Sequence, residues 1–138
     1  MLEGTITDGI HRLSLRVYYE DTDFSGYVYH ANYLKFCERA RSDWIRLAGF
    51  NQNAMADADN KIYFMIRRMN CEFIKPARFD DILSVETQPG EVGGARFGIL
   101  QKVLRGAEVL FTADVLAVLV GGDGRPKRIP QDMKSRFG

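Results

Sequence analysis

Net charge is almost absent from this 138-residue chain: 19 Lys and Arg stand against 18 Asp and Glu, a formal charge of +1. Nothing in that balance argues for nucleic acid or for a polybasic membrane patch, so a partner has to be read from local features. Long apolar runs are missing too, and no stretch approaches the roughly 18 residues that a membrane span needs. The opening residues, MLEGTITDGIHRL, lack the basic segment and apolar run of a secretory signal. These absences predict a cytoplasmic protein, with no membrane insertion and no nucleic-acid partner. Cysteine occurs twice, at Cys37 and Cys71, with a spacing that suits neither a redox CxxC pair nor a zinc framework. Two buried thiols are the expectation. No internal repeat, low-complexity segment or long linker divides the chain. With 46% hydrophobic residues there is material for one core, so a single domain over residues 1–138 is predicted.

Residues 12–18, RLSLRVY, place Leu13, Leu15 and Val17 at alternate positions, the period of a half-buried strand. From Tyr33 the period changes. Tyr33, Phe36, Cys37, Ala40, Trp44, Leu47 and Ala48 recur three and four residues apart, whereas Lys35, Glu38, Arg39, Arg41, Asp43 and Arg46 fall on other faces. This predicts one amphipathic helix stopped by Gly49 in the C′ position. Residues 50–61 read as a connection with room for a short helix. Strand patterns follow over about 62–74, 82–88, 95–104 and 107–120, with KPARFDD, PGEVGG and RGAE as punctuation. The last strand turns almost wholly apolar after Asp114, as one covered on both faces would. The order predicts an α+β fold with one long helix on an antiparallel sheet of about five strands. One helix covers one face only, and the sheet edges stay unpaired, so sheets joined edge to edge in a homodimer, or a homotetramer built from it, are expected.

Between the first strand and the helix lies EDTDFSGYVYHANYL, residues 20–34, too polar for a strand and too broken for one helix. Asp21, Asp23 and Gly26 are good turn formers, and turning the chain is a sufficient account of them. A second account notes where the turn leads. A helix start offers free backbone N–H groups and the positive end of a dipole to developing negative charge. A carboxylate beside such an oxyanion site is a hydrolytic pairing. Asp21, two residues earlier, reads first as a residue bonding local backbone amides. His11 lies outside the stretch and reads as a surface residue.

The run YYEDTDFSGYVYHANYLKFCERAR, with MIRRMNCEFIKPARFDDIL and GRPKRIP further on, resembles the hotdog-fold acyl-CoA thioesterases. It is most similar to the 4-hydroxybenzoyl-CoA thioesterase-like family and, within it, to the type associated with the bacterial Tol-Pal envelope system. The resemblance covers nearly the whole chain. It implies the hotdog fold, hydrolysis of acyl-CoA thioesters to acid and thiol, and no cofactor or metal. It places the catalytic carboxylate at Asp23, the second aspartate of the motif. It puts the oxyanion donor at the backbone N–H of His30, helped by Ala31, with the His30 side chain near the thioester. Gly26 would let the loop pass close to substrate, and Tyr29 and Tyr33 would shape the pocket. Asp23 can attack the carbonyl or serve as base toward water, and both routes remain open.

Acyl carrier protein is an alternative carrier to coenzyme A. A silent module that binds acyl thioesters or the carrier without cleaving them is the reading from another class. A metal site built on Asp21, Asp23 and His30 finds no second ligand cluster such as HxxxH or ExxH elsewhere in the chain. GGDG at 121–124 reads as a loop of flexible residues. Arg67, Arg68, Lys75, Arg78, Arg125, Lys127 and Arg128 are candidates for the coenzyme phosphates by charge alone. Phe36, Trp44, Phe64 and Met65 can line an acyl channel or fill the core, and core filling is the default.

Overall fold

In the computed structural model, which describes residues 3–57 and 61–137, six strands form one antiparallel sheet. They are β1 (Thr5–Thr7), β2 (Ile10–Arg16), β3 (Ile62–Phe73), β4 (Ile82–Gly93), β5 (Arg96–Arg105) and β6 (Glu108–Gly121). Their spatial order is β1-β2-β4-β5-β6-β3. The long helix α1 (His30–Leu47) lies between β2 and β3 in the chain and rests on β2, β4 and β5. A short α2 (Gln52–Asp57) follows it, and α3 (Gln131–Phe137) closes the described chain.

The apolar stripe of α1 is buried as its spacing demands: Phe36, Cys37 and Ala40 are fully covered, with Tyr33 and Trp44 nearly so. Opposite them lie Val85, Phe97, Ile99, Val103, Phe111 and Val115 from the alternating inner positions of β4, β5 and β6. Each large side chain of this layer stabilises the fold by about 2–3 kcal/mol relative to exposure. Beyond Asp114, Val115, Ala117, Val118 and Leu119 are all buried, which accounts for the apolar run. The helix stops where expected. Gly49 stands at φ +101°, a conformation that disfavours any side chain, and its amide bonds to the Arg46 carbonyl. Arg136 of α3 then donates Nη1 to the Ala48 carbonyl at 2.9 Å, and the Phe137 ring meets Trp44 edge-on at 4.8 Å.

Several expectations need correction. The sheet has six strands, because Thr5–Thr7 folds back on β2 as a hairpin. β4 runs on through Pro89 and Gly90 to Gly93, since an irregularity between Pro89 and Val92 absorbs the PGEVGG segment. His11 is fully buried, not at the surface, and Asp43, off the apolar stripe of α1, is buried with it. Their side chains meet with His11 Nε2 and Asp43 Oδ2 2.6 Å apart, and Asp43 also accepts the Gly4 amide at 2.8 Å and Arg46 Nη2 at 3.0 Å. A buried charge is tolerated when it is paired in this way. Cys37 is buried, whereas Cys71 is only half-buried.

Candidate active site

After β2 the chain makes a 3-10 turn, Tyr19–Asp21, then a tight loop. Thr22 pairs with Val28 across that loop, and Tyr27 pairs with Arg78 of the segment before β4. The loop is closed by its own backbone: the Asp23 amide donates to the Tyr27 carbonyl and the Gly26 amide to the Asp23 carbonyl, both at 3.0 Å. Gly26 stands at φ +86°, so the turn needs a residue without a side chain there.

Asp23 is held at the tip by Ser25. The Ser25 amide donates to Asp23 Oδ1 at 2.8 Å and its hydroxyl to the same oxygen. Among the described residues Oδ2 receives no hydrogen bond, so one carboxylate oxygen is fixed and the other is free. The Ser25 hydroxyl and amide, with a smaller contribution from His30, hold the Asp23 carboxyl below the usual carboxylate range despite some desolvation. Asp23 is ionised at neutral pH.

The same loop runs directly into α1. Tyr29 is extended, His30 is the first helical residue, and the Tyr29 carbonyl accepts the Asn32 amide at 2.8 Å. The amides of His30 and Ala31 find no acceptor among the described residues, as expected for the first turn of a helix. The His30 ring is exposed, tilted against Tyr29 at 4.5 Å and edge-on to Phe73 at 6.2 Å. Tyr29 is exposed as well. Tyr33 is different: its ring is stacked on Phe111 at 5.1 Å in the core, and its hydroxyl accepts the Ala77 amide at 3.0 Å. Asp21 accepts the Tyr18 amide at 2.8 Å, the local backbone bond expected of it.

Two contributors escaped sequence reasoning. Asn32, buried, donates Nδ2 to the Asp21 carbonyl at 2.9 Å, while the Tyr29 amide donates to that same carbonyl at 2.9 Å. Together they tie the helix start to the loop. Ser25 orients Asp23. An Asx-type turn, Asp followed two residues later by Ser, was the available signal for the second; for Asn32 the signal was a polar residue on the inner stripe of α1.

Residues 25–112 match the family model of the thioesterase superfamily. The chain belongs to the thioesterase superfamily. The acyl-CoA thioesterase YbgC of Haemophilus influenzae is 37% identical over 124 residues, 89% of this chain and 90% of its own. The acyl-CoA thioester hydrolase YbgC of Escherichia coli is 35% identical over 130 residues, covering 93% and 96%. A crystal structure of a probable thioesterase from Bartonella henselae superposes with a TM-score of 0.84 at 42% identity, covering 88% of this chain and 99% of the other. The fold is therefore the hotdog fold, and the reading of this thioesterase as an enzyme of thioester hydrolysis stands with it.

In this thioesterase the cations proposed for coenzyme phosphates are all exposed, but they are not equivalent. Lys75 is paired with Glu108 at 2.7 Å and Lys127 with Asp123 at 3.4 Å. Arg78 lies over the Tyr27 ring at 5.4 Å, next to the loop that carries Asp23. Of the four residues considered for an acyl channel, Phe36 is core and Met65 is exposed, while Trp44 and Phe64 border a cavity beside α1. No helix among the described residues is long and apolar enough to cross a membrane.

Proposed function

We propose that this thioesterase hydrolyses acyl-CoA thioesters, with Asp23 as the reacting carboxylate and the His30 and Ala31 amides as the oxyanion site. The observation that carries the proposal is the coupling of two half-sites by one short loop. Asp23 has one oxygen fixed by Ser25 and one free, seven residues before the start of a helix whose first two amides have no acceptor among the described residues. The names of the Haemophilus and Escherichia relatives supply the substrate class.

A thioester is an activated acyl donor with a good leaving group, so no metal is required. Either Asp23 Oδ2 attacks the carbonyl carbon, the C–S bond breaks to release the coenzyme A thiolate, and water cleaves the mixed anhydride; or Asp23 takes a proton from water, which attacks instead. In both routes the carbonyl oxygen becomes an oxyanion, and each helix amide that meets it lowers the barrier by about 3 kcal/mol. Gly26 keeps the approach clear, His30 and Tyr29 flank the thioester, and Tyr33 acts from the core by holding the Ala77 segment. Label from ¹⁸O-water in the Asp23 carboxylate after a single turnover identifies nucleophilic attack with water cleaving the anhydride at the aspartyl carbon, since the general-base route puts water oxygen only into the released acid. Trapping of the anhydride by hydroxylamine tests for cleavage at the acyl carbon.

The whole chain, residues 1–138, is taken as one hotdog domain working in the cytoplasm as a homodimer. β3 supports the dimer: it is an edge strand with Tyr63, Met65, Ile66 and Phe73 exposed along it, whereas the opposite edge, β1, has only three residues. A solution mass at the chain value of 15.7 kDa removes that part. The test of the activity is thiol release from short, long and aromatic acyl-CoAs with a chelator present, by the wild type and by Asp23→Asn. Chelator-resistant turnover that the variant lacks is expected. Turnover only with acyl carrier protein esters moves the substrate to that carrier. Equal silence of both proteins with every ester favours a binding module.

A further inference from the structure

The cavity beside α1 holds a cation, Arg41, that forms no ion pair within hydrogen-bonding reach among the described residues; the exposed Glu38 carboxylate in the same lining acts on it only at a distance. It has a volume of about 150 Å³ and apolar walls from Trp44, Phe64, Phe97, Ile99 and Ala117, contributed by α1, β3, β5 and β6. Arg41 lines it and is 9% exposed. Its one hydrogen bond among the described residues runs from Nη1 to Gln101 Oε1 at 2.9 Å. Gln101 is itself used up, since Nε2 donates to the Cys37 carbonyl and to Thr87 Oγ1, both at 3.0 Å. Glu38, one turn earlier at the rim, accepts the Ser42 hydroxyl at 3.0 Å and forms no ion pair with Arg41. Among the described residues His11 Nδ1 is the one fully buried side-chain polar atom without a partner. The unused Nε and Nη2 of Arg41 are therefore not sealed in protein but reach an open surface, and the cavity is what Arg41 lines.

A guanidinium removed from water without a carboxylate is unfavourable, and an apolar ligand over it makes matters worse. A carboxylate reverses the sign, because it matches the guanidinium fork with charge-assisted hydrogen bonds. Arg41 follows His30 by eleven positions on α1, so it lies about 16 Å along the helix axis from the first amides. The cavity lining begins at Glu38, about two turns past His30. Eleven residues are about three helical turns, so Arg41 and His30 share one face of α1, and an acyl chain lying along that face from the first amides would bring its far end to Arg41.

We infer that Arg41 is a specificity-determining residue that receives a carboxylate at the far end of the acyl group, selecting ω-carboxyacyl thioesters. The inference rests on thioester hydrolysis at the Asp23 end of the helix and adds the substrate class.

Two readouts keep the two readings apart. In the first, kcat/KM is measured for dodecanoyl-CoA and octanoyl-CoA and for their ω-carboxylated counterparts, with the wild type, Arg41→Gln and Thr87→Val. The wild type is expected to favour a carboxylated ester, and Arg41→Gln to lower that preference about tenfold with the plain esters little changed. Thr87→Val disturbs the same hydrogen-bonded group without removing the charge and is expected to keep the preference. No preference in the wild type, an equal one in Arg41→Gln, or its loss in Thr87→Val as well overturns the inference. In the second, Trp44, the only tryptophan of the chain and a wall of the cavity, reports binding by fluorescence whether or not any ester is cleaved. Decanedioate is expected to bind the wild type about tenfold more tightly than Arg41→Gln, while decanediol shows no such difference. If no thioester is hydrolysed but this contrast holds, the hydrolytic reading fails and the carboxylate site survives; equal binding of decanedioate by both proteins ends it.

Discussion

The two ends of α1 each carry an aspartate held below the usual carboxylate range, and they achieve it in opposite surroundings. Asp23, before the N-terminal end, is exposed and bound by the amide and hydroxyl of Ser25 two residues away. Asp43, in the last turns, is buried; burial pushes its carboxyl up, and His11, the Gly4 amide and Arg46 together outweigh that. One carboxylate keeps an oxygen free and the other has both oxygens occupied. A free oxygen on a local turn is available to chemistry, whereas a carboxylate enclosed by partners from three segments joins β1, β2 and α1. The same residue type thus divides between reaction and assembly according to who supplies its hydrogen bonds.

The largest expected effect breaks the first end alone. Asp23→Asn should lower kcat by about 10³-fold, with the urea midpoint little altered, as is usual at an exposed position. Loss of stability of several kcal/mol in that variant would mean that Asp23 belongs with Asp43. Asp43→Ala should do the reverse: a destabilisation of about 3–5 kcal/mol from the broken buried pair, with kcat per folded molecule nearly unchanged. Chemical denaturation and active-site-normalised rates check both.

Acid sharpens the contrast. The folded pKa of Asp43 lies below its unfolded value, near 3.9 for an ordinary aspartate, so its stabilisation is complete above that value. It is lost as the pH falls through the folded pKa. Urea midpoints from pH 7 downward should therefore show the gap between wild type and Asp43→Ala holding to about pH 4 and narrowing below it. A gap that closes between pH 7 and 5 contradicts the assignment. The smallest effect is that of Ser25→Ala. Removing the hydroxyl that donates to Asp23 should raise its pKa toward the ordinary value, so the acid limb of the pH–rate profile moves upward. An unmoved limb would show that another group sets it.

Legibility in the sequence followed the locality of the contacts. The inner stripe of α1 and its stop at Gly49 were readable because period and glycine are local signals, and the strands of the sheet followed from alternation. The loop at Asp23 was readable because all of its residues are adjacent in the chain and match a family motif. His11 was misread, and its pairing with Asp43 missed, because nothing within a few residues of either reveals a partner 32 positions away. Arg41 escaped notice on the same grounds, since its partner Gln101 is 60 positions distant. β1 is only three residues long and exposed throughout, so it has no alternation to detect, although Asp8-Gly9 is a recognised hairpin turn pair. The extension of β4 was hidden by Pro89 and Gly90, which ordinarily end strands and here sit at an irregularity of the ladder.

The bond from Arg136 to the last carbonyls of α1 spans 88 positions, across four of the six strands. A contact of that sequence separation is entropically costly to form before the intervening hairpins have brought its ends together. The far end of the helix is thus fastened by a residue that can arrive only after the sheet has formed. We expect hydrogen exchange during refolding to protect the β5–β6 hairpin first and the Ala48–Gly49 cap last, making the clamp a timer that records when the rest of the domain has been assembled.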